Sequence, residues 1–360
     1  MTKNKSNFYQ SRPINRLVSA VDLFCGAGGL TRGLLDAGIR VVAGYDNDPA
    51  CRHAYAANNR GAEFCLKSVS DLDANELAAH YPKGSVRVLV GCAPCQPFSK
   101  YTQGQATELD AKWGLLGEFG RLVQDVRPEI VSMENVPEMQ RHSVFSQFLE
   151  HLCALGYNTR HAEAFCPDYG VPQQRRRLVL LASLLGPIEL VRPPKTRPVS
   201  VWAAIGHLPG LGAGESSGDP MHRACRLSPL NLKRIRASRP GGCWRDWPKA
   251  LVAKCHRTKM GKNYPSVYGR MGWDSPSPTI TTQFFGYGNG RFGHPEQDRA
   301  ITLREGAILQ SFPEDYEFVA PGTEPSFSTL GRLIGNAVPV RLGEAIGRSI
   351  RRHLEKHSGS

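Results

Sequence analysis

A short apolar run at residues 86–90, interrupted only by Arg87, leads directly into a loop rich in glycine and proline. Its length, its β-branched residues and the glycines on either side predict a buried strand of a parallel sheet. Open α/β sheets carry their chemistry on loops at the carboxyl ends of such strands. This loop holds Cys95 between two prolines, which restrict the backbone and fix the position of the thiol.

Three interpretations of Cys95 are open from the loop alone. Cysteine is often a buried structural residue, and this could be one. Cys92 and Cys95 also form a CxxC pair, which in an α/β protein can be a redox dithiol. The third interpretation is a nucleophile activated by its surroundings. The remaining motifs decide between them.

Length and composition fit one large or two moderate globular domains. The chain has 360 residues, of which 41% are hydrophobic and 21% charged. It contains no apolar run of about 18 residues, the length needed to span a membrane. The N-terminus lacks the apolar core of a signal peptide. Ten cysteines without a framework spacing indicate reduced thiols in a cytosolic protein.

The charge balance favours a polyanionic partner, most simply nucleic acid. Lysine and arginine total 45 against 32 acidic residues, which gives a net charge of +13. A generally basic protein would show the same balance. Residues 195–257, however, combine basic side chains with Trp202, Trp244 and Trp247, a mixture suited to phosphate contact and base stacking. The tryptophans could equally form a small core, and we expect this for Trp202 and Trp273.

A second apolar run, residues 17–24, ends in a glycine turn followed by leucines at helical spacing. This pattern predicts the strand, turn and helix that open a nucleotide-binding βαβ unit. The next strand, residues 39–45, ends at Asp46, whose carboxylate is placed to bind ribose hydroxyls. We assign Asp48 to the N-cap of the following helix, residues 50–58. Because the turn is not GxGxxG and no Walker lysine is present, a small adenosine compound is favoured over a pyrophosphate cofactor.

Six motifs follow one another between about residue 21 and residue 346. They are DLFCGAGG at 22–29, PCQPFS at 94–99, ENV at 134–136, QQRRR at 173–177, LREGAILQSFP at 303–313 and GNAVP at 335–339. In this order they resemble the cytosine carbon-5 DNA methyltransferases, which use S-adenosyl-L-methionine. The resemblance implies an α/β fold with a Rossmann-like, doubly wound, mostly parallel sheet of the class I methyltransferase type.

The resemblance also implies three segments. Residues 1–185 form the catalytic and cofactor-binding domain, residues 186–298 an inserted, smaller target-recognition domain, and residues 299–360 a C-terminal part that returns to the catalytic domain. A basic helix is predicted within residues 228–238, and further helices at 303–310 and 340–354. The polar segment 99–116, with its glycines, is expected to be a loop that closes over the DNA.

The chemistry of the base explains why a cysteine is needed. Carbon 5 of cytosine becomes nucleophilic only when a thiolate adds to carbon 6, and the base must first be flipped out of the duplex. By resemblance, Cys95 is this nucleophile and Glu134 hydrogen-bonds or protonates ring nitrogen 3. Arg175 and Arg177 contact the carbonyl oxygen of the base and support the loop, with Arg175 expected nearer to the chemistry. No residue is assigned to removal of the carbon-5 proton.

The resemblance further assigns a set of cofactor-binding residues and no metal. They are Asp22, Phe24, Gly26, Gly28, Gly29, Asp46, Asn47, Asp71, Pro94, Asn336, Ala337 and Val338. The chain departs from the family at one place, because Ser68 stands where an acid usually contacts the adenine. Either Ser68 serves more weakly, or Asp71 takes the role, or the alignment is shifted.

The expected function is that of a DNA (cytosine-5-)-methyltransferase, which modifies a specific duplex sequence through a covalent Cys95 adduct and leaves S-adenosyl-L-homocysteine. We expect a cytoplasmic, nucleoid-associated bacterial monomer that belongs to a restriction-modification or epigenetic system. A cognate restriction endonuclease, acting separately, is a candidate partner, and no membrane is involved. The recognised bases cannot be read from the residues.

Two other functions remain open. A tRNA-modifying relative shares most motifs, but its Cys-Phe-Thr tripeptide is absent from this sequence. A catalytically silent regulator would bind nucleic acid or cofactor only, and the presence of Cys95, Glu134 and Arg175 argues against it.

Overall fold

The structure is a computed structural model that describes residues 17–94, 106–194, 196–259 and 261–357, and of residues 106–113 only the backbone. Seven strands of these residues form one sheet. The strands are β1 (Val18–Leu23), β2 (Arg40–Asp46), β3 (Glu63–Leu66), β4 (Val86–Gly91), β5 (Ile130–Asn135), β6 (Asn158–Phe165) and β7 (Arg176–Ser183). Their order is β3-β2-β1-β4-β5-β7-β6, and β7 alone runs opposite to the other six strands. The expected Rossmann-like, doubly wound, mostly parallel sheet is confirmed.

Helices cover both faces of this sheet. The helices of the described residues, only some of which pack on the sheet, are α1 (Gly29–Asp36), α2 (Cys51–Asn58), α3 (Ala74–Ala79), α4 (Ala106–Val126), α5 (Ser143–Ala154), α6 (Val201–Ile205), α7 (Pro229–Arg236), α8 (Leu303–Leu309), α9 (Phe327–Asn336) and α10 (Val340–His357). The hydrophobic core on one face joins the strands to α3, α4 and α5, and the core on the other face joins them to α1 and α10. The strand order changes direction between β1 and β4, so a crevice is expected at the carboxyl ends of these two strands.

A third core joins the N-terminal and C-terminal parts of the chain. It combines side chains of α2, α6, α8 and α9 with residues 271–292. Farther away, Trp244 and Trp247 pack with Ile235 of α7 and Tyr287 in a separate small cluster. The last strand ends at Ser183, and the described residues of 186–298 contribute no strand to the sheet. The proposed boundaries of a target-recognition domain remain a prediction.

The C-terminal helix α10 lies unusually close to α1. A Cβ atom at Gly33 would collide with the backbone of Val340 and Gly343, and one at Gly29 would collide with the Val338 carbonyl oxygen. Contacts at this distance are possible only without a side chain. The last segment of the chain therefore returns to the first βα unit of the sheet.

Two expectations about loops and core residues are wrong. The segment 99–116 is not a loop throughout, because α4 begins at Ala106, while residues 99–105 lie outside the described part of the chain. Trp202 is not a core residue, since it is 57% exposed on the short helix α6 and contacts the half-buried Trp273 edge to face. Trp273 does pack against the core, as expected.

The helices that the structure describes include none that is both long and apolar enough to cross a membrane.

Candidate active site

The first glycine turn connects β1 to α1 through unusual backbone angles. Phe24 has φ 58°, a strained value for a residue with a side chain, and Gly26 and Gly28 have φ 54° and 88°. A Cβ at Gly28 would collide with Asn59, so this glycine is required by packing. A Cβ at Gly26 would meet no atom within 4 Å. Of the two, only Gly26 opens onto free space that a ligand could fill.

Asp22 lies under this turn and is almost completely buried. Its Oδ2 accepts a hydrogen bond from Thr31 Oγ1 at 2.7 Å, whereas its Oδ1 is buried and has no hydrogen-bond partner among the described residues. Burial raises the pKa of Asp22 to about 7, and the negative charge of Asp46 acts in the same direction. A buried carboxylate oxygen without a donor suits a cationic or hydrogen-bonding ligand.

Asp46 ends β2 and points back to the glycine turn. Its Oδ2 accepts from the Gly26 amide and its Oδ1 from the Asp48 amide, both at 2.9 Å. Burial raises the pKa of Asp46, although these hydrogen bonds oppose the shift. Asp48 accepts from the Ala50 amide at 3.0 Å and pairs with Arg332. It thus closes the turn before α2, but the N-cap of that helix is Ala50, two residues later than predicted.

Three other expected cofactor residues lie near the surface. Asn47 follows Asp46 and is exposed, and so is Asp71 at the end of a short 3₁₀ helix. The Ser68 hydroxyl accepts from the Ser70 amide at the start of that helix. Ser68 is therefore already engaged within its own turn, and the geometry does not decide between it and Asp71.

The carboxylate of Glu134 lies between a guanidinium and a thiol. Arg177 Nε is 2.9 Å from Glu134 Oε1, and the Cys92 thiol donates to Oε2 at 2.9 Å. The Glu134 side chain is only 2% exposed, as expected for a residue at a strand end in a cleft. Burial raises the pKa of Glu134, while Arg177 and Cys92 oppose this shift. The raised pKa favours a protonated carboxyl that can donate a proton.

Arg175 is bound differently from Arg177. Its Nη1 donates to the Ile280 carbonyl at 3.0 Å and its Nη2 to the Gly335 carbonyl at 3.2 Å. Burial and the charge of Arg177 lower the pKa of Arg175 to about 9. The geometry thus favours Arg177, rather than Arg175, as the arginine at the carboxylate, and Arg175 as a link between distant segments.

Gln173 completes this link. Its Oε1 accepts from the Ile280 amide at 2.9 Å, and its Nε2 donates to Gln310 Oε1 at 2.8 Å. Sequence analysis gave no role to Gln173, nor to Cys92 beyond the CxxC pair. Gln173 belongs to a recognised motif, but its partners lie more than a hundred residues away and could not be inferred from spacing.

A side chain at the end of β5 holds the loop that follows β4. Asn135 Nδ2 donates to the Ala93 carbonyl at 3.1 Å, next to the exposed Pro94. Cys95, the expected nucleophile, lies outside the described residues, directly after Pro94. The carboxylate of Glu134 and this loop therefore meet at the carboxyl ends of two adjacent parallel strands.

The last motif lies against the first. Asn336 is exposed at the end of α9, Ala337 follows it half-buried, and the Val338 carbonyl faces Gly29. The sites predicted from the two ends of the sequence are thus neighbours in space. Together with Asp22 and Asp46 near the ends of β1 and β2, this arrangement defines an α/β protein with a Rossmann-like sheet and candidate ligand-binding groups at its switch point.

Comparison with known proteins identifies the family. The model of the C-5 cytosine-specific DNA methylases matches residues 18–352. The Type II methylase M.HgiDII of Herpetosiphon aurantiacus is 53% identical over 344 residues, which cover 94% of this chain and 96% of that protein. The Type II methyltransferase M1.HphI of Haemophilus parahaemolyticus is 31% identical, over 92% of this chain and 86% of its own length. The chain belongs to the C-5 cytosine-specific DNA methylase family, and it is a DNA cytosine methyltransferase.

Solved structures agree on the fold. A putative DNA modification methyltransferase encoded within an E. coli prophage superposes with a TM-score of 0.68 at 22% identity, covering 94% of this chain and 99% of that one. The Dnmt2 methyltransferase of S. pombe gives a TM-score of 0.57 at 19% identity, covering 94% and 98%.

Proposed function

We propose that this chain methylates carbon 5 of a cytosine flipped out of a specific duplex DNA sequence, with Cys95 as the covalent nucleophile. The contacts of Glu134 carry the proposal. Its buried carboxyl is held by Arg177 on one oxygen and by Cys92 on the other, beside the loop that continues into Cys95. Nucleophile and acid would then approach one pyrimidine ring from adjacent strands.

The proposed reaction divides one difficult step into two. The Cys95 thiolate adds to carbon 6 while Glu134 delivers a proton to ring nitrogen 3, which makes carbon 5 enamine-like. Arg177 orients Glu134 and contacts the carbonyl oxygen of the base. After carbon 5 has accepted the methyl group, loss of its proton and departure of the thiolate restore the aromatic ring.

S-adenosyl-L-methionine, when bound, supplies an electrophilic methyl group and leaves as S-adenosyl-L-homocysteine. The crevice suits it because Gly26 leaves open space, Asp22 has an unpartnered buried oxygen, and Asp46 ends β2. We assign the ribose to Asp46 and the cationic part to the neighbourhood of Asp22. The other residues assigned to the pocket are Phe24, Gly28, Gly29, Asn47, Asp71, Pro94, Asn336, Ala337 and Val338.

The biological setting is proposed from the relatives. Two curated bacterial relatives carry Type II names, which supports a restriction-modification system with a separate endonuclease. We propose a monomer that acts on duplex DNA in the bacterial cytoplasm, in which residues 186–298 select the target. The net charge of +13 supports binding to a polyanion.

Trapping on a fluorinated base tests the nucleophile. With 5-fluorocytosine in the duplex, the fluorine cannot leave as a proton does, so the methylated adduct persists. We expect a covalent complex at the peptide containing Cys95, no complex with Cys95→Ser, and slow formation with Glu134→Gln. An adduct at another cysteine would overturn the assignment. Bisulfite sequencing of DNA from cells that express the chain would then identify the modified sequence.

Transfer of radiolabelled methyl groups from S-adenosyl-L-methionine to duplex DNA and to tRNA distinguishes the two possible substrates. Methyl transfer to duplex DNA is expected to exceed transfer to tRNA, and the reverse result would favour the RNA-modifying alternative.

A further inference from the structure

We propose that Glu63, Cys65 and His80 bind one zinc-type divalent cation at the edge of the sheet. Glu63 and Cys65 belong to β3, the outermost strand, and two residues apart they point to the same face. His80 follows the last residue of α3, which packs over that face. The proposed site lies outside the catalytic residues described above and is independent of them.

The three donor groups are already close together. One ligand atom from each residue lies within 4.8 Å of the other two. Glu63 Oε2 is 3.9 Å from His80 Nδ1, the proposed ligand atom, and Cys65 Sγ is 4.0 Å from the other ring nitrogen, Nε2. Bonds of about 2.0–2.3 Å to a tetrahedral zinc ion hold donor atoms roughly 3.3–3.8 Å apart. A closure of up to about 1.5 Å is required. The Glu63 side chain, which is 68% exposed, can supply much of it.

The imidazole of His80 is held by a buried hydroxyl. Tyr45 OH is 2.8 Å from His80 Nε2 and 3.5 Å from Glu76 Oε1. With a cation on Nδ1, Nε2 would carry the proton and donate to Tyr45, whose own proton would turn to Glu76. Metal-binding histidines are commonly oriented by such a hydrogen bond on their second nitrogen.

The donor set selects the class of cation. Thiolate, imidazole and carboxylate together suit zinc, whereas magnesium and calcium prefer oxygen donors alone. The Lys67 ammonium, two residues after Cys65, already pairs with Glu76 and so opposes binding little. Cys65 would bind as the thiolate, which releases its proton, and water would complete the tetrahedron.

The expected role is to fasten the edge strand. Lys67, directly after β3, donates its amide to the Asp46 carbonyl at 3.0 Å. A cation between β3 and His80 would therefore stiffen the strand next to Asp46. The bound cation would stabilise the fold and would take no part in the methyl transfer.

Cobalt titration tests the site directly. The full chain carries Cys95→Ser throughout, so that the proposed catalytic thiol cannot bind the metal. We expect one equivalent of Co²⁺ with thiolate-to-cobalt charge-transfer and tetrahedral d–d absorption, which Zn²⁺ displaces. Cys65→Ser should abolish the charge-transfer band, and Cys153→Ser, at an exposed cysteine of α5, should leave it unchanged. Tyr45→Phe should weaken zinc binding by about 10- to 100-fold, measured by competition with a chromophoric chelator.

Thermal unfolding provides the second measurement. Zn²⁺ should raise the midpoint of the Cys153→Ser chain but not that of Cys65→Ser, which differs from the parent by one atom. His80→Gln removes the partner of Tyr45 as well, so Cys65→Ser is the deciding variant. A charge-transfer band or a zinc-induced shift that survives Cys65→Ser would overturn the proposal, and so would the absence of stoichiometric binding at micromolar Zn²⁺.

Discussion

Arg177 pairs with Glu134, whereas the adjacent Arg176 pairs with Glu163. Arg177 Nε lies 2.9 Å from Glu134 Oε1, and these side chains are 14% and 2% exposed. Arg176 Nη1 lies 2.6 Å from Glu163 Oε1, and those side chains are 60% and 39% exposed. Consecutive residues of a strand point to opposite faces, so β7 presents one ion pair to the candidate active site and one to solvent.

The two pairs provide a matched comparison. Arg177→Lys keeps the charge but loses the planar guanidinium that holds Glu134, so we expect the single-turnover rate of methyl transfer to fall by about 100-fold. Arg176→Lys should change it by less than about twofold, because exposed ion pairs contribute little. Transfer of labelled methyl groups to duplex DNA measures both rates. Equal effects of the two substitutions would contradict the proposed role of Arg177.

Cys92 is predicted to position Glu134. The Cys92→Ala variant removes the thiol that donates to Glu134 Oε2 at 2.9 Å, and this oxygen is then free to turn away from the base. We expect kcat to fall by about 10- to 100-fold while the Kd for S-adenosyl-L-methionine is unchanged, since a hydrogen bond to a charged group contributes about 1.5–3 kcal/mol. Cys92→Ser, which can still donate, should recover much of the rate.

The pH profile distinguishes this role from simple packing. With the thiol absent, one influence that lowers the pKa of Glu134 is lost. Because the protonated carboxyl is the form that donates to the base, the basic limb of the kcat profile should move to higher pH in Cys92→Ala. An unchanged profile together with a lower melting temperature would instead indicate that Cys92 only packs.

Asp22 should make stability depend on pH. Burial raises the pKa of Asp22 from 3.8 to about 7, so between about pH 4 and pH 7 the folded chain keeps a proton that the unfolded chain releases. The unfolded state then binds fewer protons, and the free energy of unfolding contributed by this group falls as the pH rises. Asp22→Asn cannot ionise, so relative to wild type it should gain stability from pH 5 to pH 8 in urea titrations. A constant difference between the two would contradict the prediction.

Binding of the cofactor should show the opposite trend. If the sulfonium compound lies near Asp22, it favours the ionised carboxylate, and its affinity should increase as the pH rises through about 7. Calorimetry should find this increase in wild type and little of it in Asp22→Asn.

The sheet and most of its strands could be predicted because apolar runs and glycine turns are local signals. The run at residues 86–90 became β4, and residues 39–45 became β2 with a shift of one residue. Trp202 was expected in the core because tryptophan is a large apolar residue. A large side chain becomes buried, however, only when another element of the fold packs over it. The helix α6 has five residues, and it leaves Trp202 57% exposed.

Partners that are distant in sequence could not be predicted. Alternation places Arg175 and Arg177 on one face, but it does not show which carbonyl or carboxylate each one meets. Arg175 binds Ile280 and Gly335, which tertiary folding brings from 105 and 160 residues away. The same reason explains why Cys65 and His80, on a strand and after a helix, gave no motif in the sequence.

The contact between α1 and α10 should depend on the absence of a side chain at Gly33. A Cβ there would collide with backbone atoms of Val340, Gly343 and Glu344, which cannot move as a flexible side chain could. We therefore expect Gly33→Ala to lower the free energy of unfolding by about 1–3 kcal/mol.

Gly117 in α4 is the matched control, because a Cβ at that position would meet no atom within 4 Å. Gly117→Ala should be neutral or stabilise by up to about 1 kcal/mol, the gain in helix propensity of alanine over glycine. Urea unfolding monitored by circular dichroism measures both variants. If Gly33→Ala were as stable as Gly117→Ala, the two helices would not be in backbone contact, and Val338 could not be held against Gly29 at the edge of the proposed cofactor pocket.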